Sequence, residues 1–176
     1  MIIYFLRHAS AGQKRANAQQ DDKRPLDKEG IEQCRYVGRL LNSLDTHVDV
    51  ILSSPLKRAT QSASLVGNEI AYEQKIELAP ALKPTADYQA FRDLLRSLRK
   101  MESVMVVGHN PNFSQFLSLL VTNGADDAAI DMKKGSVARV ETGPKRAVLH
   151  WMITPRLVKS AYTSAQASSL PKTSKK

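Results

Sequence analysis

Three apolar runs, at residues 2–6, 49–52 and 103–107, stop abruptly at residues that carry charge or turn the chain. Consecutive Ile, Val, Leu and Phe leave a strand no polar face, so both of its faces must be covered by other elements. Helical periodicity fills the intervals. Ile31, Cys34, Val37, Leu41 and Leu44 make one stripe behind a capping Asp27, and residues 56–70 follow Pro55. Two further stripes run through Tyr88, Phe91, Leu94, Leu95 and Leu98, and through Phe113, Phe116, Leu117 and Leu120 as far as Asn123 and Gly124. A weaker strand is predicted at 75–78 and a β-hairpin at 136–141 and 147–153. Strands alternating with helices and closing on a hairpin predict an α/β three-layer sandwich. Its central sheet is mostly parallel with an antiparallel edge, and helices lie on both faces.

The length, 176 residues, suits one domain, expected over 1–157, followed by a basic tail at 158–176 with little to bury and expected to be mobile or loosely docked. With 42% hydrophobic and 24% charged residues, the composition excludes a disordered chain or a disulfide scaffold. Cys34 is the sole cysteine and sits on an apolar stripe, where it reads as a small buried residue. Only six apolar residues precede Arg7, with no basic segment ahead of them, and no run approaches the ~20 residues of a membrane span. A cytoplasmic protein without a membrane partner is expected. About half of the +9 net charge lies past residue 155, so the surplus favours an anionic partner without choosing one.

In a sheet of this kind, ligands bind at the carboxyl ends of the strands. There the sequence offers Arg7 and His8, then residues 53–58 ending in Arg58, then Gly108 and His109. Guanidinium forks and free N–H groups at helix starts near Leu56 or Asn112 match a tetrahedral oxyanion, so the expected guest is a phosphate. A neutral imidazole beside it is a nucleophile, the role assigned to His8. His109, Arg7 and Arg58 bind the phosphate and stabilise its redistributing charge, and Ser10 is close enough to His8 to touch it. This chemistry requires no metal and no cofactor. His47, in a polar turn, and His150, in a strand, fall outside the site. A connection of unusual length, residues 12–28, borders the site, and no insertion between Arg58 and Val104 is large enough to form a lid.

The stretches Leu6-Arg7-His8-Ala9, Ser53-Ser54-Pro55-Leu56-Lys57-Arg58-Ala59-Thr60-Gln61 and Val107-Gly108-His109-Asn110 resemble the three signatures of the histidine phosphatase superfamily. The Arg24-Pro25-Leu26 step and the Pro-rich link at 80–84 are similar to its small phosphohistidine phosphatase branch, the SixA type. The resemblance implies a phosphoglycerate mutase-like fold. It also implies a covalent phosphohistidine on His8, in a pocket of Arg7, Arg58 and His109. Ala9 departs from the glycine of much of the superfamily. Residues 79–83 lack the glutamate that many members use as proton donor. Asp21 matches an aspartate of the SixA type and is the alternative donor, with Asp22 as its competitor; the other reading of both is a solvated loop paired with Lys23 or Arg24. The missing glutamate argues for a phosphoramidate, whose imidazole leaves readily. The expected substrate is phosphohistidine on a protein, for instance a phosphotransfer domain, with inorganic phosphate as product. The competing readings are a small-molecule phosphomonoesterase and a non-catalytic phosphate- or nucleic-acid-binding module. The latter is disfavoured, because few aromatic residues are available for stacking on bases.

Overall fold

A computed structural model of the chain describes residues 1–124 and 129–169. The sheet has strands β1 (Ile2–Arg7), β2 (Val50–Ser53), β3 (Glu77–Leu78), β4 (Ser103–Gly108), β5 (Val137–Thr142) and β6 (Ala147–Ile153). Their spatial order is β3-β2-β4-β1-β5-β6. Pairings β1–β4, β2–β4 and β2–β3 are parallel, and β5 and β6 add an antiparallel edge. The helices are α1 (Ala18–Asp22), α2 (Lys28–Ser43), α3 (Lys57–Glu69), α4 (Tyr88–Ser97), α5 (Asn112–Val121) and α6 (Pro155–Ser169). This is the α/β sandwich the sequence predicts.

The apolar strands are buried from both sides, and alternate side chains serve the two layers. Ile3 and Phe5 pack with Phe91, Phe113 and Phe116 of α4 and α5. Tyr4 and Leu6 pack with Cys34, Val37 and Leu41 of α2 and with Ala59, Ala63 and Val66 of α3. The Phe5 ring lies 5.5 Å from that of Phe91 and 5.6 Å from that of Phe113. Truncating such a side chain costs roughly 3–5 kcal/mol. Cys34 is buried as expected, and burial pushes its thiol pKa up to about 12, which leaves it unreactive.

The parallel register levels the strand ends. Arg7 pairs with Gly108 and Ser53 with Val107. The ladder runs one residue further on each side, with His8 N–H donating to the Gly108 carbonyl at 3.0 Å and Ser54 N–H to that of Val107 at 2.9 Å. Beyond β1 the chain crosses the start of α2, which Asp27 caps by accepting from Gly30 N–H at 2.7 Å. A Cβ on Gly30 would lie 2.0 Å from the Ser10 carbonyl oxygen, so this crossing requires glycine.

Two expectations change. The long connection after β1 contains helix α1, capped by Asn17, whose side chain accepts from Gln20 N–H at 3.1 Å. The tail from residue 158, expected to be mobile or loosely docked, forms most of α6. Val158 is buried, Lys159 Nζ lies 3.0 Å from Glu32, and the Tyr162 ring is 6.1 Å from that of Tyr36 on α2. The Ser, Thr, Ala and Lys content of this stretch masks the apolar contacts of Val158 and Tyr162 that dock the helix, while Leu157 stays exposed. Residues 170–176 of that call lie outside the described residues.

Candidate active site

Levelled strand ends bring the two histidines together. The rings of His8 and His109 lie 4.8 Å apart, centroid to centroid, in a cleft of about 620 Å³ also lined by Arg7, Arg58, Asp21 and Leu56. His8 follows β1 directly. Its backbone is fixed from three sides: the Gly108 carbonyl, Ser62 Oγ accepting from Ala9 N–H at 3.0 Å, and Gly135. Gly135 N–H approaches the Arg7 and His8 carbonyls at 3.2 and 3.1 Å, from a φ of +72° that favours glycine.

Nδ1 of His8 lies 2.8 Å from the Ala9 carbonyl, which can only accept, so Nδ1 carries the hydrogen and Nε2 keeps its lone pair. Burial, and then the guanidiniums of Arg58, Arg7 and Arg24, push the His8 pKa down to about 3, against the opposing pull of the Ala9 carbonyl. At neutral pH the ring is uncharged and nucleophilic. His109 Nε2 meets Ser54 Oγ at 2.8 Å, and its buried Nδ1 has no protein partner. Leu56 N–H donates to the same Ser54 oxygen at 3.4 Å; that oxygen keeps a second lone pair, so the Ser54 hydroxyl either donates to Nε2 or accepts from it. With the hydroxyl donating, Nδ1 of His109 carries the ring hydrogen, buried and without a protein partner. Burial first, followed by His8 and the guanidiniums, holds the His109 pKa near 2.

The arginines are held from behind. Arg7 Nη1 donates to the Met132 carbonyl at 2.6 Å, and Arg58 Nη1 to the Asp21 carbonyl at 2.8 Å. Nε of each is buried without a partner, so each fork retains a donor. Asp21 stands behind Arg58: Oδ2 is 3.3 Å from Arg58 Nη1, while Oδ1 accepts from Arg24 Nε at 2.8 Å and from Arg15 N–H at 2.9 Å. Burial alone would raise the Asp21 pKa. The Arg15 hydrogen bond and the two guanidiniums outweigh it and hold the carboxyl at about 2. Arg24 also ties the loop down, donating through Nη1 to the carbonyls of Ala11 and Gly12.

Of the side chains the sequence singles out, Arg7, His8, Arg58, His109, Asp21 and Asp22 all line the cleft. One expectation is corrected. Ser10 does not line it: its hydroxyl donates to Asp27 at 2.8 Å and its N–H to Gln33 Oε1 at 2.9 Å, both toward α2, because the chain has already turned onto that helix. Asp21 is in place, as a carboxylate ion-paired with Arg24 and Arg58. His47 pairs with Asp45 at 3.2 Å and His150 with Glu141 at 3.1 Å, both away from the cleft. Sequence reasoning misses Ser54 as the partner of His109 and the segment before β5 that carries Met132 and Gly135. Among these, only Gly135 carries a local signal, a lone glycine before a strand. Among the described residues no group of three or more His, Cys, Asp and Glu side chains is arranged to hold a metal ion.

Comparison with known proteins gives three kinds of match. A family model described as the histidine phosphatase superfamily (branch 1) matches residues 3–85. The phosphohistidine phosphatase SixA of Escherichia coli (strain K12) is 25% identical over 163 residues, covering 92% of this chain and 98% of that protein. Among solved structures, the protein histidine phosphatase SixA complexed with tungstate aligns with a TM-score of 0.79 at 24% identity, over 90% of this chain and 99% of that one. The phosphoglycerate mutase of Bacillus anthracis str. Sterne aligns with a TM-score of 0.70 at 14% identity, over 92% and 96%. The fold is therefore phosphoglycerate mutase-like.

Proposed function

We propose that this chain is a member of the histidine phosphatase superfamily, whose model it matches over residues 3–85, and that it hydrolyses phosphohistidine on a protein substrate through a covalent intermediate on His8. The observation that carries the reading is the state of His8: Nδ1 is committed to the Ala9 carbonyl, and Nε2 is free and unprotonated in a cleft lined by Arg7, Arg58 and His109.

In the first step, the Nε2 lone pair attacks phosphorus and the N–P bond of the substrate breaks. The electron pair of that bond stays with the departing imidazole, which leaves neutral because its other ring nitrogen takes a proton from water. In the second step, water attacks the phosphorus on His8, its proton passes to solvent, and inorganic phosphate leaves with Nε2 restored. Arg7 and Arg58 neutralise the equatorial oxygens, and a ring N–H of His109 donates to one of them. These donors are fixed before substrate arrives, so little reorganisation is needed.

The choice of a phosphoramidate rests on the carboxylates. An alkyl phosphate ester needs its leaving oxygen protonated, whereas phosphohistidine takes its proton at a ring nitrogen exposed to water. Asp21 is ionised and paired to Arg24 and Arg58. Asp22, exposed on the cleft wall, is the feature that favours the competing reading, a small-molecule phosphomonoesterase.

The test is turnover of a phosphohistidine protein followed by rapid alkaline quench. An acid-labile phosphoenzyme should accumulate in the native protein and be missing in His8→Ala. Full turnover by His8→Ala would overturn the mechanism. A kcat/KM several decades higher on small esters would move the substrate to that class.

A further inference from the structure

The cleft carries more positive charge than one phosphate needs. Outside the pocket that would hold the phosphate, its wall includes Lys14, Arg15 and Lys134, all exposed, and none forms an ion pair among the described residues. The nearby acids are largely committed. Asp21 is buried between two arginines, Asp131 pairs with Lys133, and Asp27 accepts from Ser10, Gly12 and Gly30. Asp22 is the remaining carboxylate on the cleft wall.

Two of these cations sit on backbone fastened to the site. Arg15 N–H donates to Asp21 Oδ1. Lys134 precedes Gly135, whose N–H meets the Arg7 and His8 carbonyls. Their Cα positions are thus set relative to His8, while the long side chains stay free to reach outward. A phosphate buried against Arg7, Arg58 and His109 has its charge answered there. Exposed cations around it are available to further negative charge on the same substrate, although Lys134 also acts on the Asp27 carboxylate.

We propose that Lys14, Arg15 and Lys134 form a docking rim that reads acidic side chains flanking the phosphohistidine of a partner protein. This rests on the reading of the chain as a protein phosphohistidine phosphatase. A macromolecular acidic surface is favoured over a small polyanion because the cations are hydrated, flexible and spread over two separate loops. A small polyphosphate is better matched by buried forked donors such as Arg7 and Arg58.

The experiment uses two peptides with the same central histidine, one flanked by glutamates and the other by glutamines. Each is prepared phosphorylated for turnover and fluorescently labelled, unphosphorylated, for binding by anisotropy. The native protein is compared with Lys14→Gln/Arg15→Gln/Lys134→Gln. Three exposed charge pairs support an acidic preference of about tenfold in both affinity and kcat/KM at low salt, largely screened at 0.5 M. In the triple variant the preference should fall below about twofold, with turnover of the glutamine peptide unchanged. Equal binding of both peptides by the native protein, or a preference that survives the triple substitution, overturns the rim. So does an RNA oligonucleotide or tripolyphosphate that binds more tightly than the acidic peptide and loses its affinity in the same variant. The binding arm needs no catalysis: a protein that turns over neither phosphopeptide yet prefers the acidic one refutes the proposed activity and leaves the rim supported.

Discussion

Replacing Asp21 with Asn separates two roles that a carboxylate in this cleft could play, proton donor or anionic anchor. The carboxylate takes hydrogen bonds from Arg24 Nε at 2.8 Å and Arg15 N–H at 2.9 Å and lies 3.3 Å from Arg58 Nη1. These contacts bring its pKa from 3.8 to about 2 in spite of burial. A depressed carboxylate pKa stabilises the fold above pH 3.8, and that contribution is lost as pH falls through about 2. At about 1.36 kcal/mol per tenfold change in proton affinity the ceiling is about 2.5 kcal/mol, and water at the cleft mouth reduces this to about 1 kcal/mol. Urea unfolding of the native protein and Asp21→Asn should therefore differ by about 1 kcal/mol at pH 7 and converge near pH 2. On activity, an anchor and a donor predict opposite outcomes. As an anchor, Asp21 shares Arg58 with the incoming phosphate, so Asp21→Asn should keep kcat on a phosphohistidine peptide within about threefold and tighten inhibition by inorganic phosphate severalfold. A fall of ~10² or more in kcat, with loss of the alkaline limb of the pH profile, would refute the reasoning and restore Asp21 as the acid.

His109→Ala and Arg58→Ala should each lower kcat/KM by about 10² to 10³ if both act as preorganised oxyanion donors, as measured on a phosphohistidine peptide. Ser54→Ala removes the hydroxyl that fixes the His109 ring and should cost about tenfold in kcat with little change in KM, whereas a purely structural role for Ser54 would lower thermal stability and leave kcat alone. Because burial and the guanidiniums hold His8 at about 3, the acid limb of kcat/KM should lie near pH 3–4; a limb near 6.5 in a stopped-time pH series would show that His8 titrates like a solvated histidine. Gly108→Ala would place a methyl group 2.1 Å from the Phe113 ring and should destabilise the fold by about 2 kcal/mol or more, read as a lowered urea midpoint.

What the sequence makes legible here are features whose cause is local. The runs of β1 and β4 are apolar at successive positions because both faces are covered, and a window of six residues shows it. Asp27 ahead of a helical stripe is likewise a local capping signal. The candidate site is legible for the same reason: Arg7 and His8, Arg58, and Gly108 and His109 each lie at or just past the end of a strand, where the chain passes from apolar to polar. What stays hidden depends on contacts made at a distance. Nothing near Met132 indicates that its carbonyl will hold Arg7, 125 positions away, and nothing near Ser54 indicates a partner 55 positions on. Ser10 is misread because closeness to His8 in sequence says nothing of direction, and the crossing onto α2 turns its hydroxyl toward Asp27. Asp21 is ambiguous in the sequence for a deeper reason. Its residue type fits a donor and its position fits the cleft, but its protonation is decided by Arg24 and Arg58, and no spacing rule reveals which side chains will surround it. The same reasoning governs His8. Arg-His pairs are common in sequences, and what suits this one to the proposed nucleophilic role is the fold around it: a carbonyl that fixes the tautomer, burial that keeps the ring neutral, and cations that would attract a phosphate while opposing protonation of the ring. Those three conditions reinforce one another only where β1, β2 and β4 end level. A change that shifts β1 by one residue against β4 would remove the chemistry while leaving every motif intact.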